Sequence, residues 1–238
     1  MRRWRVDLHL HSCLSPCADN KMTPRRIAKV ARAQGICAIA LADHNAALNV
    51  QAMMEAGKRE DLVVFPAMEV TSKEEVHLLV LFGELEPLLA WQEILWQHLP
   101  GENRPDYFGE QLIVDAQDQV LGTTSRFLLG AAQLSTDEVV ARVQALGGLV
   151  IPAHIDRPSF SLLGQLGFIP PSLPISAVEL SPKGKGDLVP PNYICIRSSD
   201  AHYLTQLGPG SELVAAELNW QELSLALKGK EGRRMEIK

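Results

Sequence analysis

The sequence predicts an α/β protein whose parallel strands form a barrel, and three observations lead there. Continuous apolar runs alternate with segments of helical period. The runs end on polar, chemically capable residues, Glu69, His154 and Asp200 among them. At least five different strands end this way, which suits a closed barrel better than a doubly wound open sheet, where such groups gather at one switch point. A chain of 238 residues, 46% hydrophobic and 21% charged, is long enough to bury that core, and it shows neither a fixed-period repeat nor a low-complexity linker.

The elements follow in order. V-D-L-H-L-H-S, residues 6–12, is a strand whose H-x-H spacing sets His9 and His11 on one face, with Leu8 and Leu10 anchoring the other. After a loop, Thr23 caps and Pro24 opens a helix that Gly35 ends. I-C-A-I-A-L-A is a buried strand running into Asp43, His44 and Asn45, and a helix from about Ala47 to Arg59 leads to the strand ending on Glu69. His77 lies near the start of the apolar run V-H-L-L-V-L-F-G, and residues 85–98 have helical spacing. The text then turns irregular at 100–125, an insertion placed to cover the site. Ser135 and Glu138 form a capping box for a helix that Gly147 ends, before a strand finishing on His154 with Asp156 and Arg157 just beyond. A-V-E-L-S ends near Glu179 and Ser181, and Y-I-C-I-R-S-S-D-A-H ends on Asp200 and His202. A strand over 212–218 and a helix over 220–228 complete the pattern.

Composition narrows the function. A net charge of -5 gives no global attraction to polyanions, and no apolar run reaches bilayer length. The basic start, M-R-R-W-R, is not followed by the apolar stretch and cleavage site of a secretory leader, so a cytoplasmic protein with no membrane partner is expected. Cys13, Cys17, Cys37 and Cys195 are too few for a disulfide scaffold and are expected to be reduced. The Cys13–Cys17 pair lacks the second pair of a zinc knuckle, which favours a packing role.

Six of the seven histidines, His9, His11, His44, His77, His154 and His202, fall at strand ends. Singly, His44 reads as a helix cap, His77 as a core histidine and Asp200 as a turn residue. Independent structural uses would not place six of seven in this way. With Asp19, Glu69 and Asp200 they make nine candidate ligands, more than one four- to six-coordinate ion uses, so two or three divalent ions are implied. Mixed imidazole and carboxylate ligands suit zinc, manganese or iron(II), with Glu69 or Asp200 as the bridge. Two such ions bridged by hydroxide supply a nucleophile and a clamp for phosphoryl oxygens. Arg157, in H-I-D-R-P, is placed either to grip a substrate phosphate or to form a surface ion pair. Lys183 and Lys185, in S-P-K-G-K-G, are candidates for phosphate contact on a mobile loop, against the commoner role of solvated loop lysines.

Taken together, His9-x-His11, Asp43-His44-Asn45, Glu69 followed by His77, His154, and Asp200-x-His202 resemble the metal motifs of the PHP family, the polymerase and histidinol phosphatase domains. The likeness runs from residue 7 to residue 202. It implies a distorted (β/α)7 TIM-like barrel, a single PHP domain over residues 1–238, and a three-metal centre. In that centre His9, His11, Glu69 and Asp200 would hold one ion, Glu69, His77 and His154 a second, and Asp19, His44 and His202 a third. The function implied is a metal-dependent phosphoesterase using a metal-bound hydroxide. Its substrate would be a small phosphate ester: a phosphorylated metabolite, a nucleotide or a short oligonucleotide. Two alternatives stand beside it. The same centre would polarise an amide or lactone carbonyl, a reading that Arg157 discriminates. A barrel retained only for binding is the other, and a candidate at every ligand position argues against it. The 238 residues contain no polymerase segment and no extended basic, aromatic-studded groove, so long nucleic acid is not the expected partner.

Overall fold

The computed structural model describes residues 1–237, of Leu188 the backbone alone. Along the chain run β1 (Arg2–Leu10), α1 (Pro24–Ala33), β2 (Ala38–Leu41), α2 (Val50–Arg59), β3 (Val63–Thr71), β4 (His77–Leu81) and α3 (Leu85–Trp96). Then come α4 (Pro105–Phe108), β5 (Leu112–Val114), β6 (Val120–Thr123), α5 (Thr136–Ala145), β7 (Leu149–Pro152), α6 (Leu162–Leu166), β8 (Ala177–Leu180), β9 (Ile194–Arg197), β10 (Ser211–Ala215), α7 (Trp220–Leu227) and β11 (Arg234–Ile237). Local chemistry sets several boundaries. Pro24 occupies the first turn of α1 and Gly35, at φ +73°, ends it; Ser135 and Glu138 close the expected capping box on α5.

One sheet has the order β11-β10-β1-β2-β3-β4-β7, and period-two alternation gives it two apolar faces. On one, Ile39, Leu41, Met68, Leu78 and Val80 meet α1, α2, α3 and α5 through Ile27, Met53, Trp91 and Val140. On the other, Ala38, Ala40, Phe65, Ala67, Leu79, Leu81 and Ile151 form an inward core that Leu223, Ala226 and Leu227 of α7 close from below.

The sheet curls without closing into a barrel. A separate parallel pair, β8 and β9, packs between β7 and β11 and so spans the gap. Beyond the strand ends, backbone hydrogen bonds tie this pair in: Ile155 N–H donates to the Glu179 carbonyl, Asp200 N–H to His9, and His11 N–H to Ala201. The expected all-parallel order also needs correction. Among the described residues four of the six neighbouring pairs in the large sheet are antiparallel, β11/β10, β10/β1, β3/β4 and β4/β7. Only five residues, 72–76, separate β3 from β4, enough for a hairpin but not for a crossover helix. Because β4 runs backwards, His77 at its start reaches the same end of the sheet as Glu69 near the end of β3.

A second departure lies in β1. Val6 pairs with Ala38 but Leu10 pairs with Leu41, so a bulge absorbs one residue between Asp7 and Leu10. Leu8 therefore joins the inward core while Leu10 joins the helix-covered face, instead of both packing together behind the histidines. The 100–125 segment contains a hairpin, β5–β6, and a helical turn, α4. Asn49 anchors it, donating to the Leu112 carbonyl and accepting from Val114 N–H. No helix among the described residues is long and apolar enough to cross a membrane.

Candidate metal centre

Glu69 is the focus. Its carboxylate is buried at the end of the inward core, and five imidazoles converge on its two oxygens. His9 Nε2 lies at 3.4 Å, His77 Nδ1 at 2.9 Å and His154 Nε2 at 3.2 Å from Oε1; His11 Nε2 lies at 3.4 Å and His44 Nδ1 at 3.1 Å from Oε2. Asp200 completes the group, with Oδ1 at 3.2 Å from His11 Nε2 and 3.7 Å from both His9 Nε2 and His202 Nδ1. The structure thus brings eight of the nine sequence candidates together.

Asp19 stands apart. Its backbone N–H donates to the His202 carbonyl at 2.9 Å, but its carboxylate accepts from Lys21 N–H at 2.7 Å. Arg157 reaches the centre by donating from Nη2 to Asp200 Oδ2 at 2.6 Å. Lys183 is exposed on the loop after β8 and is not among the residues lining the central cavity.

The Asp43-His44-Asn45 triplet divides its work. Asp43 accepts from the Ser12 amide and hydroxyl and the Ser15 hydroxyl, binding the loop after β1 to the end of β2. His44 faces Glu69. Asn45, at φ +48°, accepts from Thr71 N–H and donates to the Leu128 and Gly130 carbonyls, and so holds Leu129 at the cavity. His154 and Asp200, at φ +32° and +48°, share the left-handed backbone, as sites that trade local strain for side-chain direction often do.

Electrostatics show how tightly these groups are coupled. Burial disfavours the Glu69 charge, but His77, His9, His44 and His154 outweigh it and hold the carboxyl well below its usual range. Burial likewise opposes a charged His9, yet Glu179, Glu69 and Asp200 raise it well above the usual imidazole value. Burial dominates at His44, which is driven far down, and at His202, lowered to about 4 with help from the neighbouring His11. Despite these short separations, His9 Nε2, His44 Nδ1 and His77 Nδ1 are buried and make no hydrogen bond. Buried ring nitrogens set against carboxylate oxygens without a hydrogen bond need a proton or a metal ion between them, and this mixed imidazole and carboxylate donor set is one that a divalent metal would match. Three triads have ligand atoms within 4.8 Å of one another: His9–His11–Glu69, His44–Glu69–His77 and His11–His44–His202.

Sequence reasoning passed over a supporting layer. His9 Nδ1 lies 2.8 Å from Glu179 Oε2, an arrangement that turns Nε2 towards the centre; His11 Nδ1 meets the Ser15 hydroxyl at 3.1 Å in the same way. The available signal was a glutamate inside the apolar run A-V-E-L, since a carboxylate buried in a strand needs a partner. Beneath it, burial pushes Asp7 up to about 7 despite its hydrogen bonds from the Ser199 hydroxyl and amide. Over the centre lies a cavity of about 310 Å³, lined by six of the clustered residues, His44, Glu69, His77, His154, Asp200 and His202, together with Arg157, Cys17, Leu129 and Phe160.

Comparison with known proteins places the fold. No family model matches the chain. The uncharacterized protein YqxK of Bacillus subtilis (strain 168) is 36% identical over 106 residues, a stretch covering 40% of this chain and 27% of that protein. The lesion-specific endonuclease PfuEndoQ from Pyrococcus furiosus has a TM-score of 0.71 at 20% identity, over 98% of this chain and 58% of the endonuclease. Endonuclease Q bound to a 27-mer duplex with an abasic lesion gives 0.70 at 18% identity, with the same coverage. A two-domain protein from Bacteroides vulgatus, containing a predicted PHP-like metal-dependent phosphoesterase, gives 0.58 at 14% identity over 99% of this chain and 65% of that one. The chain therefore spans little more than half of the endonuclease Q chains, and what it shares with these structures is a PHP-like fold.

Proposed function

We propose that this chain is a metal-dependent hydrolase of phosphate esters, its one PHP domain spanning residues 1–238. The observation that carries the reading is the convergence of five imidazoles on Glu69 with buried ring nitrogens lacking hydrogen bonds. His9, His11, His44, Glu69, His77, His154, Asp200 and His202 would hold two or three ions of zinc, manganese or iron, with Asp19, already joined to His202 through its backbone, as the ninth ligand. Divalent ions held there supply Lewis acidity and a nucleophile at neutral pH. The side chains do the rest. Glu179 fixes the orientation of His9, and Arg157 offers its guanidinium to the phosphoryl group beside Asp200. The same guanidinium favours phosphate over an amide or lactone carbonyl. Lys183, on its exposed loop, is a more distant candidate for phosphate contact. Substrates are small phosphate esters in the first instance. Nucleic acid belongs in the same panel, because a structural neighbour was solved on a DNA duplex.

The first test is elemental analysis of protein purified without chelator, followed by a panel of phosphate monoesters, diesters and DNA. Two or three equivalents of metal per chain, by the ligand count, and turnover that His44→Ala or Asp200→Ala lowers by orders of magnitude in a folded protein are expected. Near-zero metal that added ions do not restore, or full activity in those variants, would overturn the proposal.

A further inference from the structure

The rim of the cavity carries a residue that metal chemistry does not require. Phe160 remains 43% exposed, its ring stacked on His77 with centroids 4.9 Å apart and planes inclined by 29°. It lines the same cavity as the ligand cluster and Arg157. Its backbone is at φ +55°, a conformation rare for a bulky side chain and tolerated where the surroundings enforce it. The surroundings here do so at several points. The Phe160 carbonyl accepts from His77 N–H at 3.0 Å. Next to it, the Ser161 hydroxyl donates to the Arg157 carbonyl and accepts from Gly164 N–H. Gly164 lies so close to this turn that a Cβ there would come within 2.7 Å of the Pro158 carbonyl oxygen.

One tight turn therefore holds a cation and an aromatic ring three residues apart, both at the cavity, with the ring braced against a candidate ligand. Leu129, fixed by Asn45 through its neighbours' carbonyls, adds a second apolar surface. We propose that Phe160 is a specificity-determining residue, the wall on which the site seats a planar ring carried by the leaving group of its phosphate ester. This rests on the phosphoesterase reading. Phosphate lies towards Arg157 and the metal ligands, and the ring lies on the exposed part of Phe160. A cavity of about 310 Å³ is at the small end of ligand sites, matching a phosphate with one ring system. Two sources share that chemistry: an aryl phosphate, with the ring attached directly, and a nucleotide, with a sugar between.

Equilibrium binding separates this inference from the catalytic one, because it needs no turnover. The full chain is titrated with adenosine monophosphate, ribose 5-phosphate, phenyl phosphate and glycerol phosphate, and the measurements are repeated on Phe160→Ala. Phe160→Leu, which keeps apolar packing on His77 but lacks a π face, serves as a second variant should alanine disturb the fold. Stacking predicts that one ring-bearing ligand binds on the order of tenfold tighter than its ringless counterpart, and that both variants erase the preference while ringless ligands bind as before. Preference for adenosine monophosphate over ribose 5-phosphate identifies a nucleotide; preference for phenyl phosphate over glycerol phosphate alone identifies an aryl ester. Equal affinity for ringed and ringless ligands, or a preference that survives in Phe160→Leu, would overturn the proposal. The phosphoesterase reading fails separately, if the metal-loaded wild type cleaves no phosphate ester.

Discussion

The two ends of the inward face obey opposite rules. At the lower end Ala38, Ala40, Phe65, Leu81 and Ile151 pack apolar side chain to apolar side chain against Leu223, Ala226 and Leu227 of α7. At the upper end the same strands, or the residues just after them, carry His11, His44, Glu69, His77 and His154, buried or nearly so, with ring nitrogens that make no hydrogen bond at His9, His44 and His77 and left-handed backbone at Asn45, His154 and Asp200. Packed apolar surface stabilises the fold directly. Buried, like-facing ligand groups cost stability until a cation joins them. One sheet therefore serves as scaffold at one end and as a strained, preorganised site at the other, a division expected where local rules are broken for function.

The largest effect should come from the scaffold end. Leu81 is fully buried opposite Ala67 and Leu149, two residues along the strand from the Glu69 partner Leu79. Leu81→Ala should lower unfolding free energy by about 2–5 kcal/mol, read from the denaturant midpoint. Metal content and turnover per folded molecule should stay as in the wild type. A matching fall in metal content would mean that the two ends are one cooperative unit and would dissolve the contrast.

Glu179 tests the site end, at the next size down. Its contact with His9 positions the imidazole, so Glu179→Ala should weaken metal binding, and with it turnover, by about 10- to 100-fold. Glu179→Gln keeps a carbonyl acceptor for Nδ1–H and should recover much of that loss. Metal titration with a competing chelator reads this without any assay of activity. Identical affinity in both variants and the wild type would show that β1 packing alone orients His9.

Legibility in the sequence follows the range of the interactions. Short-range chemistry was readable: H-x-H put His9 and His11 on one face with centroids 5.2 Å apart, and the Ser135–Glu138 box formed as spaced. Polar strand ends gathered because β1, β2, β3 and β7 run the same way, and His77 opens the one strand between them, β4, that runs backwards. The β3–β4 hairpin was missed: the link between the two apolar runs is too short for a crossover helix, but each run by itself resembles any buried strand. What stayed hidden depends on partners far along the chain. Glu179 meets His9 across 170 positions, and the β1 bulge reflects pairing with β2 that no period in β1 records. Asp19 lies in a loop whose backbone meets the distant His202, and no period in the sequence records that contact or the direction of the carboxylate.

The smallest effect belongs to the helix-covered shell, which the contrast treats as pure scaffold. Ser135 Oγ accepts from Glu138 N–H at 3.3 Å, and the Glu138 carboxylate accepts from Ser135 N–H at 2.9 Å, while Val139, Val140 and Val143 of α5 pack beneath. Ser135→Ala should cost about 1 kcal/mol and leave metal content unchanged. Glu138→Gln should cost less, and only in part of the pH range. The hydrogen bonds from Ser135 hold the Glu138 carboxyl below its ordinary value. Its stabilisation is therefore present above the unfolded-state pKa and disappears as pH falls through the lower folded-state value. Denaturation of Glu138→Gln and wild type should differ at pH 7 and converge in strong acid. A difference that persists there would assign the effect to packing of the side chain, not to its charge, and α5 would then belong with the apolar half of the molecule in its energetics as well as its position.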